Sequence, residues 1–146
     1  MIVYKHGDLL ASDEKVIAHG CNCSGGFASG FAKQVAERYP AAREAYLHRH
    51  NTRGWSLGDV QLIGVGDGSG VTIANCGTQQ RYGRTDEGPY VSYPAIKLVI
   101  RNLAKSFPQG FAIPKIGAGL AGGNWDIIAK IIEEESGPVE VRVYVL

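Results

Sequence analysis

Long apolar runs are missing from this chain. No uncharged apolar run approaches the ~20 residues that a bilayer-crossing helix needs, so no membrane association is expected. Excess charge of one sign is missing as well. Fifteen Lys and Arg stand against fourteen Asp and Glu, a net +1, which gives no global electrostatic footprint for nucleic acid or anionic lipid. Cysteines are few and odd in number, three in all. That pattern points to thiols in a reducing compartment rather than a disulfide framework. The opening Met1–Asp8 stretch is too short and too soon charged for an export signal. A cytoplasmic protein is the expectation.

What is present is an ordinary globular composition, 45% hydrophobic and 20% charged over 146 residues. One domain spanning 1–146 is expected, large enough to bury a core without staples. Glycine is the outlier at twenty residues; with proline it exceeds an average share of roughly 12%. Short Val/Ile-rich runs predict strands at Ile2–Tyr4, Val16–His19, Val60–Val65, Val71–Asn75, Phe111–Ile116 and Val139–Leu146. Helical spacing predicts Phe27–Tyr39, Ala41–Asn51, Ala95–Phe107 and Asn124–Ser136. Asn124 suits an N-cap and Asp126 the positive helix end. Gly64–Gly70 has a linker's composition, but it lies between two strand patterns and reads as a hairpin or tight connection. The order β-β-α-α-β-β-α-β-α-β implies an α/β fold with a mixed central sheet and helices on both faces.

Two segments carry the chemistry. Val16–Phe31 and Phe111–Asp126 each run from a predicted strand, through a glycine-rich loop, into a helix start. That arrangement presents several backbone amides beside a positive helix end and suits a phosphate. Gly117-Ala-Gly-Leu-Ala-Gly122 spells G-x-G-x-x-G, yet the further βαβ chain and downstream acid of a dinucleotide fold are lacking. Gly25 and Gly30 begin a Walker-type spacing, but Phe31 and Ala32 stand where Lys and Ser/Thr belong. Two such loops on neighbouring strands, facing each other, would clamp a diphosphate and the sugar beyond it.

Here the sequence resembles the macrodomain family, whose members bind ADP-ribose. The resemblance runs through Gly7-Asp8-Leu9, through Ile17-Ala-His-Gly-Cys-Asn22 with Gly25-Gly-Phe-Ala-Ser-Gly30, and through Ile116-Gly-Ala-Gly-Leu-Ala-Gly-Gly-Asn-Trp125. The branch it is most similar to is the ADP-ribose 1″-phosphate phosphatases, with related phage macrodomains; Tyr39-Pro40 matches their helix end. The resemblance implies a three-layer α/β/α macrodomain with ADP-ribose or its 1″-phosphate as the small-molecule partner. No cofactor or metal is implied, and a monomer is expected. Carried over by motif, Asp8 would accept from the adenine amino group, with Gly7 and Leu9 beside it. Cys21, Asn22 and Cys23 would border the distal ribose. Ala28, Ser29, Gly30 and Phe31 would offer amides to the diphosphate. Ile116, Gly117, Ala118, Gly119, Leu120, Ala121 and Gly122 would close over the other side. For Asp8 the plain alternative is a carboxylate capping the turn at Leu9–Ser12.

The chain departs from the lysine-dependent branch that removes ADP-ribose. Its middle region, Asn75-Cys-Gly-Thr-Gln-Gln-Arg-Tyr82, has no lysine, and Ala121 rather than Asp follows Gly119-Leu120. No Cys is followed six places on by Arg, and no paired-Asp metal motif is present. Positioning and electrostatics would therefore carry the rate. His19 is the candidate general acid or base on water, the plain alternative being a strand-end histidine satisfied by a backbone carbonyl, and Asn22 the candidate to orient that water or hold the ribose hydroxyls. The alternatives are a binding module without turnover and a hydrolase that removes ADP-ribose from protein or nucleic acid without a catalytic lysine. His19, Cys21 and Cys23 form H-x-C-x-C on one side of a strand, but no fourth ligand completes a zinc site. Arg38, Arg43, His48, Arg49, His50 and Arg53 read as a solvated helix face, so nucleic acid is not an expected partner. Gln79, Gln80, Arg81, Tyr82 and Arg84 form a polar loop, either on the surface or with Arg81 near a phosphate.

Overall fold

The computed structural model describes residues 1–81 and 90–146. Six strands form one sheet in the order β1-β6-β5-β2-β4-β3. They are β1 (Ile2–His6), β2 (Val16–Asn22), β3 (Val60–Gly64), β4 (Thr72–Gln79), β5 (Phe111–Ile113) and β6 (Val141–Val145). All neighbours pair in parallel except β3, which runs antiparallel to β4. The sheet is therefore mixed, and the glycine-rich 64–70 segment is the β3–β4 hairpin loop.

The two sheet faces are read directly from alternate side chains. Ala18, Ala74, Cys76, Phe111, Ile113, Val141 and Val143 pack beneath α3 (Tyr93–Ser106) and α4 (Trp125–Ser136). Ile17, Cys21, Ile73 and Ala112 pack beneath α1 (Gly30–Arg38) and α2 (Pro40–Thr52). Helices on both faces make the three-layer α/β/α arrangement.

The helices begin where their local chemistry dictates. Asn124 caps α4 by accepting from Asp126 N and Ile127 N, and Ser92 caps α3 by accepting from Ala95 N. Helix α1 starts at Gly30 rather than Phe27. Phe27 is instead buried under the loop, between His19 and Tyr46. Pro40 opens α2 as its first residue, where a missing N–H costs nothing. Among the described residues no helix is long and apolar enough to cross a membrane.

Candidate functional site

Strands β2 and β5 are neighbours, paired at Ile17 and Ala112. Both end at the same sheet edge, so the loops that leave them face one another. Between them lies a cavity of about 340 Å³, within the range of small-ligand sites. His19, Cys21, Asn22, Ala28, Ser29, Gly30 and Phe31 line one side, and Ile116, Gly117, Ala118, Gly119 and Ala121 the other. Leu120 lies in the 3₁₀ turn Gly119–Ala121. Gly7, Asp8 and Leu9 line a second cavity of about 380 Å³, closed by Tyr144, Val145 and Leu146. The two cavities share Phe31, Pro114 and Lys115.

Two expected residues lie elsewhere. Cys23 lines neither cavity. The β2–β4 register shifts between Cys21 and Asn22, so the bulge breaks the alternation that would have put Cys23 beside Cys21. Its amide donates to Gln79 O at 2.8 Å. The three residues His19, Cys21 and Cys23 are accordingly not gathered, and no group of three His, Cys, Asp or Glu able to hold a metal exists among the described residues. Gly122 also lines neither cavity. It takes the left-handed conformation (φ 73°) that ends the 3₁₀ turn, with its amide on Gly119 O.

The first loop is held by side chains. Asn22 Nδ2 donates to Gly26 O at 2.6 Å, and its Oδ1 accepts from Ser24 N at 2.9 Å and Gly26 N at 3.1 Å. Tyr46, fully buried on α2, accepts from Gly25 N at 3.0 Å. Its one proton serves the Asn22 carbonyl and Oδ1, at 2.7 and 2.9 Å. Asn22 thus spends its amide on shaping the loop. The loop delivers the chain to α1, where Ser29 occupies the N-cap without making a side-chain cap bond. The first-turn amides of α1 are left for a ligand.

The second loop is held by packing. The amides of Ala118 and Gly123 donate to Lys115 O and Gly117 O, at 3.2 and 2.9 Å. A Cβ on Gly123 would meet Gly117 O at 2.4 Å, and one on Gly117 would meet Val91 at 2.8 Å. Glycine is required here because backbone and the α3–α4 core close on the loop from behind.

His19 is fully buried, with Phe27 and Phe31 at ring-centroid distances of 5.4 and 5.9 Å. Its Nε2 lies 2.7 Å from Asn75 Oδ1. Asn75 Nδ2 donates to Ala42 O at 2.9 Å and faces Gln61 Oε1 at 3.1 Å. A carbonyl only accepts, so the Asn75 orientation is fixed and His19 must donate from Nε2. Nδ1 then carries the lone pair, 4.0 Å from Cys21 Sγ. Burial pushes the His19 pKa down to about 4, against a smaller opposing pull from the Asn75 bond, so the ring is neutral at physiological pH. Burial also raises the Cys21 thiol well above its usual range, and lifts Cys23 to about 11. Neither is a thiolate near neutral pH.

Asp8 Oδ1 accepts from Leu10 N at 3.0 Å, capping the 3₁₀ turn Leu9–Ala11. Pro114 and Lys115 line the first cavity without having been named as site residues, and Gln79, one of the polar residues read as either near the ligand or on the surface, lines it too. Pro114 and Lys115 directly precede the second glycine loop, a placement the strand-to-loop spacing already implied. Gln79 is the last residue of β4, and Arg81 beyond it is exposed; Tyr82 and Arg84 lie outside the described residues. The basic helix face is more engaged than expected. Arg49 pairs with Asp59 at 2.7 Å and lies over Trp55, and the His50 ring sits where a Gly25 Cβ would be, 2.7 Å away.

A mixed-sheet α/β/α sandwich with two facing glycine loops above adjacent strand ends is the architecture of a macrodomain. No family model matches the chain. A solved macrodomain protein of Streptomyces coelicolor is 30% identical, superimposes with a TM-score of 0.80, and is matched over 100% of this chain and 99% of that one. An uncharacterised 17.5 kDa protein of Enterobacteria phage T4 is also 30% identical, over 98% of this chain and 95% of its own. The chain belongs to the macrodomain family. An ADP-ribose 1″-phosphate phosphatase of Saccharomyces cerevisiae is 27% identical, over 99% of this chain and 98% of its own.

Proposed function

We propose that this macrodomain binds ADP-ribose and hydrolyses ADP-ribose 1″-phosphate to ADP-ribose and phosphate. One observation carries the reading: two amide-lined loops face across one cavity, which adjoins a second cavity beginning at Asp8. The adenine fits against Leu9, Phe31 and Val145, with the outer Asp8 oxygen toward its amino group. The diphosphate takes the first-turn amides of α1 and those of the second loop. The distal ribose then lies above Cys21, Asn22 and Gln79. The full-length likeness to the yeast phosphatase supports the choice of reaction.

The chemistry falls to positioning. The thiols stay protonated, and no Asp or Glu lines the first cavity among the described residues. His19 has one ring nitrogen left to take a proton from water, Nδ1. Asn22 contributes by holding the loop that orients the ribose. Calorimetry with ADP-ribose tests binding, and phosphate release from the 1″-phosphate tests turnover. Folded His19→Ala and Asn22→Ala proteins with full turnover would remove both residues from the mechanism. A second reading, an ADP-ribose-binding module without turnover, is favoured by the zero exposure of His19. Binding without phosphate release selects it. Release of ADP-ribose from a modified protein or DNA would select a lysine-independent hydrolase instead.

A further inference from the structure

The first cavity is almost uncharged. Its walls are backbone, glycine, alanine, aromatic rings and the neutral polar side chains of Asn22, Ser29 and Gln79, with Lys115 the one charged side chain among its described residues. Lys115 also lines the second cavity. Its place is set by the chain around it: Pro114 precedes it at the end of β5, and its carbonyl accepts from Ala118 N at 3.2 Å. Any molecule that spans both cavities passes this residue. The Lys115 side chain is exposed, and no ion pair among the described residues uses it. Its neighbour is the Trp125 ring, 5.8 Å from Nζ, which is held in turn by a Trp125 Nε1–H bond to Tyr4 Oη at 3.0 Å.

We propose that Lys115 is the electrostatic anchor for the ligand's diphosphate, and the residue that makes this site prefer phosphorylated adenosine over adenosine itself. The assignment rests on the ADP-ribose reading and adds a specificity residue to it. Backbone amides orient phosphate oxygens but carry no net charge. A diphosphate entering a cavity lined by neutral groups loses hydration that dipoles alone replace poorly, and a nearby ammonium offsets that loss. A lysine suits the task because its point charge swings on a flexible stem while the amides fix the geometry. A contact at 5.8 Å to an indole is weak. It leaves the ammonium free to swing to an anion in the cavities that Lys115 lines. Asp8, the one Asp or Glu among the described residues of the second cavity, has an oxygen committed to Leu10 N and lies at the adenine end.

Titration calorimetry tests this with adenosine, ADP and ADP-ribose at low and high salt. The proteins compared are wild type, Lys115→Gln, Lys115→Arg and Lys105→Gln. Lys105 is an exposed lysine in the last turn of α3 and controls for net charge. Lys115→Gln should weaken ADP and ADP-ribose by about five- to tenfold, leave adenosine within about twofold, and flatten the salt dependence. Lys115→Arg should retain most of the affinity, and Lys105→Gln should match wild type. Equal losses in Lys115→Gln and Lys105→Gln, or an adenosine loss as large as that of ADP-ribose, would overturn the assignment while leaving the ADP-ribose reading intact. A wild-type protein that binds none of the three overturns both.

Discussion

The two glycine loops line one cavity but are built on different physics. The first, Asn22–Gly30, is tied by directional bonds from Asn22 and Tyr46. The second, Gly117–Gly123, is wedged into the α3–α4 core with glycines where side chains will not fit. A bonded loop fails by losing a partner, whereas a wedged loop fails by gaining an atom. The first therefore depends chiefly on the polarity of Asn22 and Tyr46, and the second chiefly on the absence of side chains at Gly117 and Gly123.

The sharpest break in that comparison is Gly123→Ala. Its Cβ would lie 2.4 Å from a backbone oxygen that no rotamer can move. It should cost roughly 2–4 kcal/mol and abolish ADP-ribose binding, read by thermal denaturation and calorimetry. In the first loop Asn22→Ala leaves Gly26 and Ser24 without their partner. A loss of about 2 kcal/mol is expected, with increased hydrogen exchange confined to residues 23–30. Tyr46→Phe keeps the ring stacked on Trp55 at 5.1 Å but removes the hydroxyl. It should cost about 1 kcal/mol; a neutral result would mean that the hydroxyl does not bind the loop.

Acid separates the loops as well. His19, beneath the first, has a folded pKa near 4 against 6.5 for an unperturbed ring. The unfolded chain takes up the proton first, so stability is full above about 6.5 and falls as pH drops toward 4. His19→Gln should flatten the stability curve within that window, measured by urea unfolding at several pH values. The smallest effect belongs to Ser29→Ala. Ser29 makes no side-chain cap bond, so stability should change by less than about 0.5 kcal/mol and ADP-ribose affinity by less than about twofold. A larger loss would show that the hydroxyl, and not only the neighbouring amides, reaches the ligand.

Much of this was legible in the chain. Among the described residues the six strands follow from Val/Ile-rich runs and the four helices from their spacing, and the Gly-rich hairpin from its flanks. Asn124 capped its helix as its residue type predicts. The misplacements share one cause. Cys23 was expected beside Cys21 because strands alternate, and a bulge set by pairing with β4 interrupts that alternation. Phe27 was expected on a helix because of its spacing, but it fills the space between His19 and Tyr46. Asn22 lines the cavity as its motif suggests, and the fold adds a second duty that the motif did not show, since its oxygen serves two loop amides.

The amino-acid sequence alone determined the elements, their order and the two glycine segments, because periodicity and backbone freedom are local properties. Only the tertiary structure decided that these segments face each other, that Asn75 dictates the His19 tautomer, and that Lys115 stands where two cavities meet. Those facts depend on which strands become neighbours. Strand adjacency is settled by burying both faces of one sheet at once, a condition that no short stretch of residues contains.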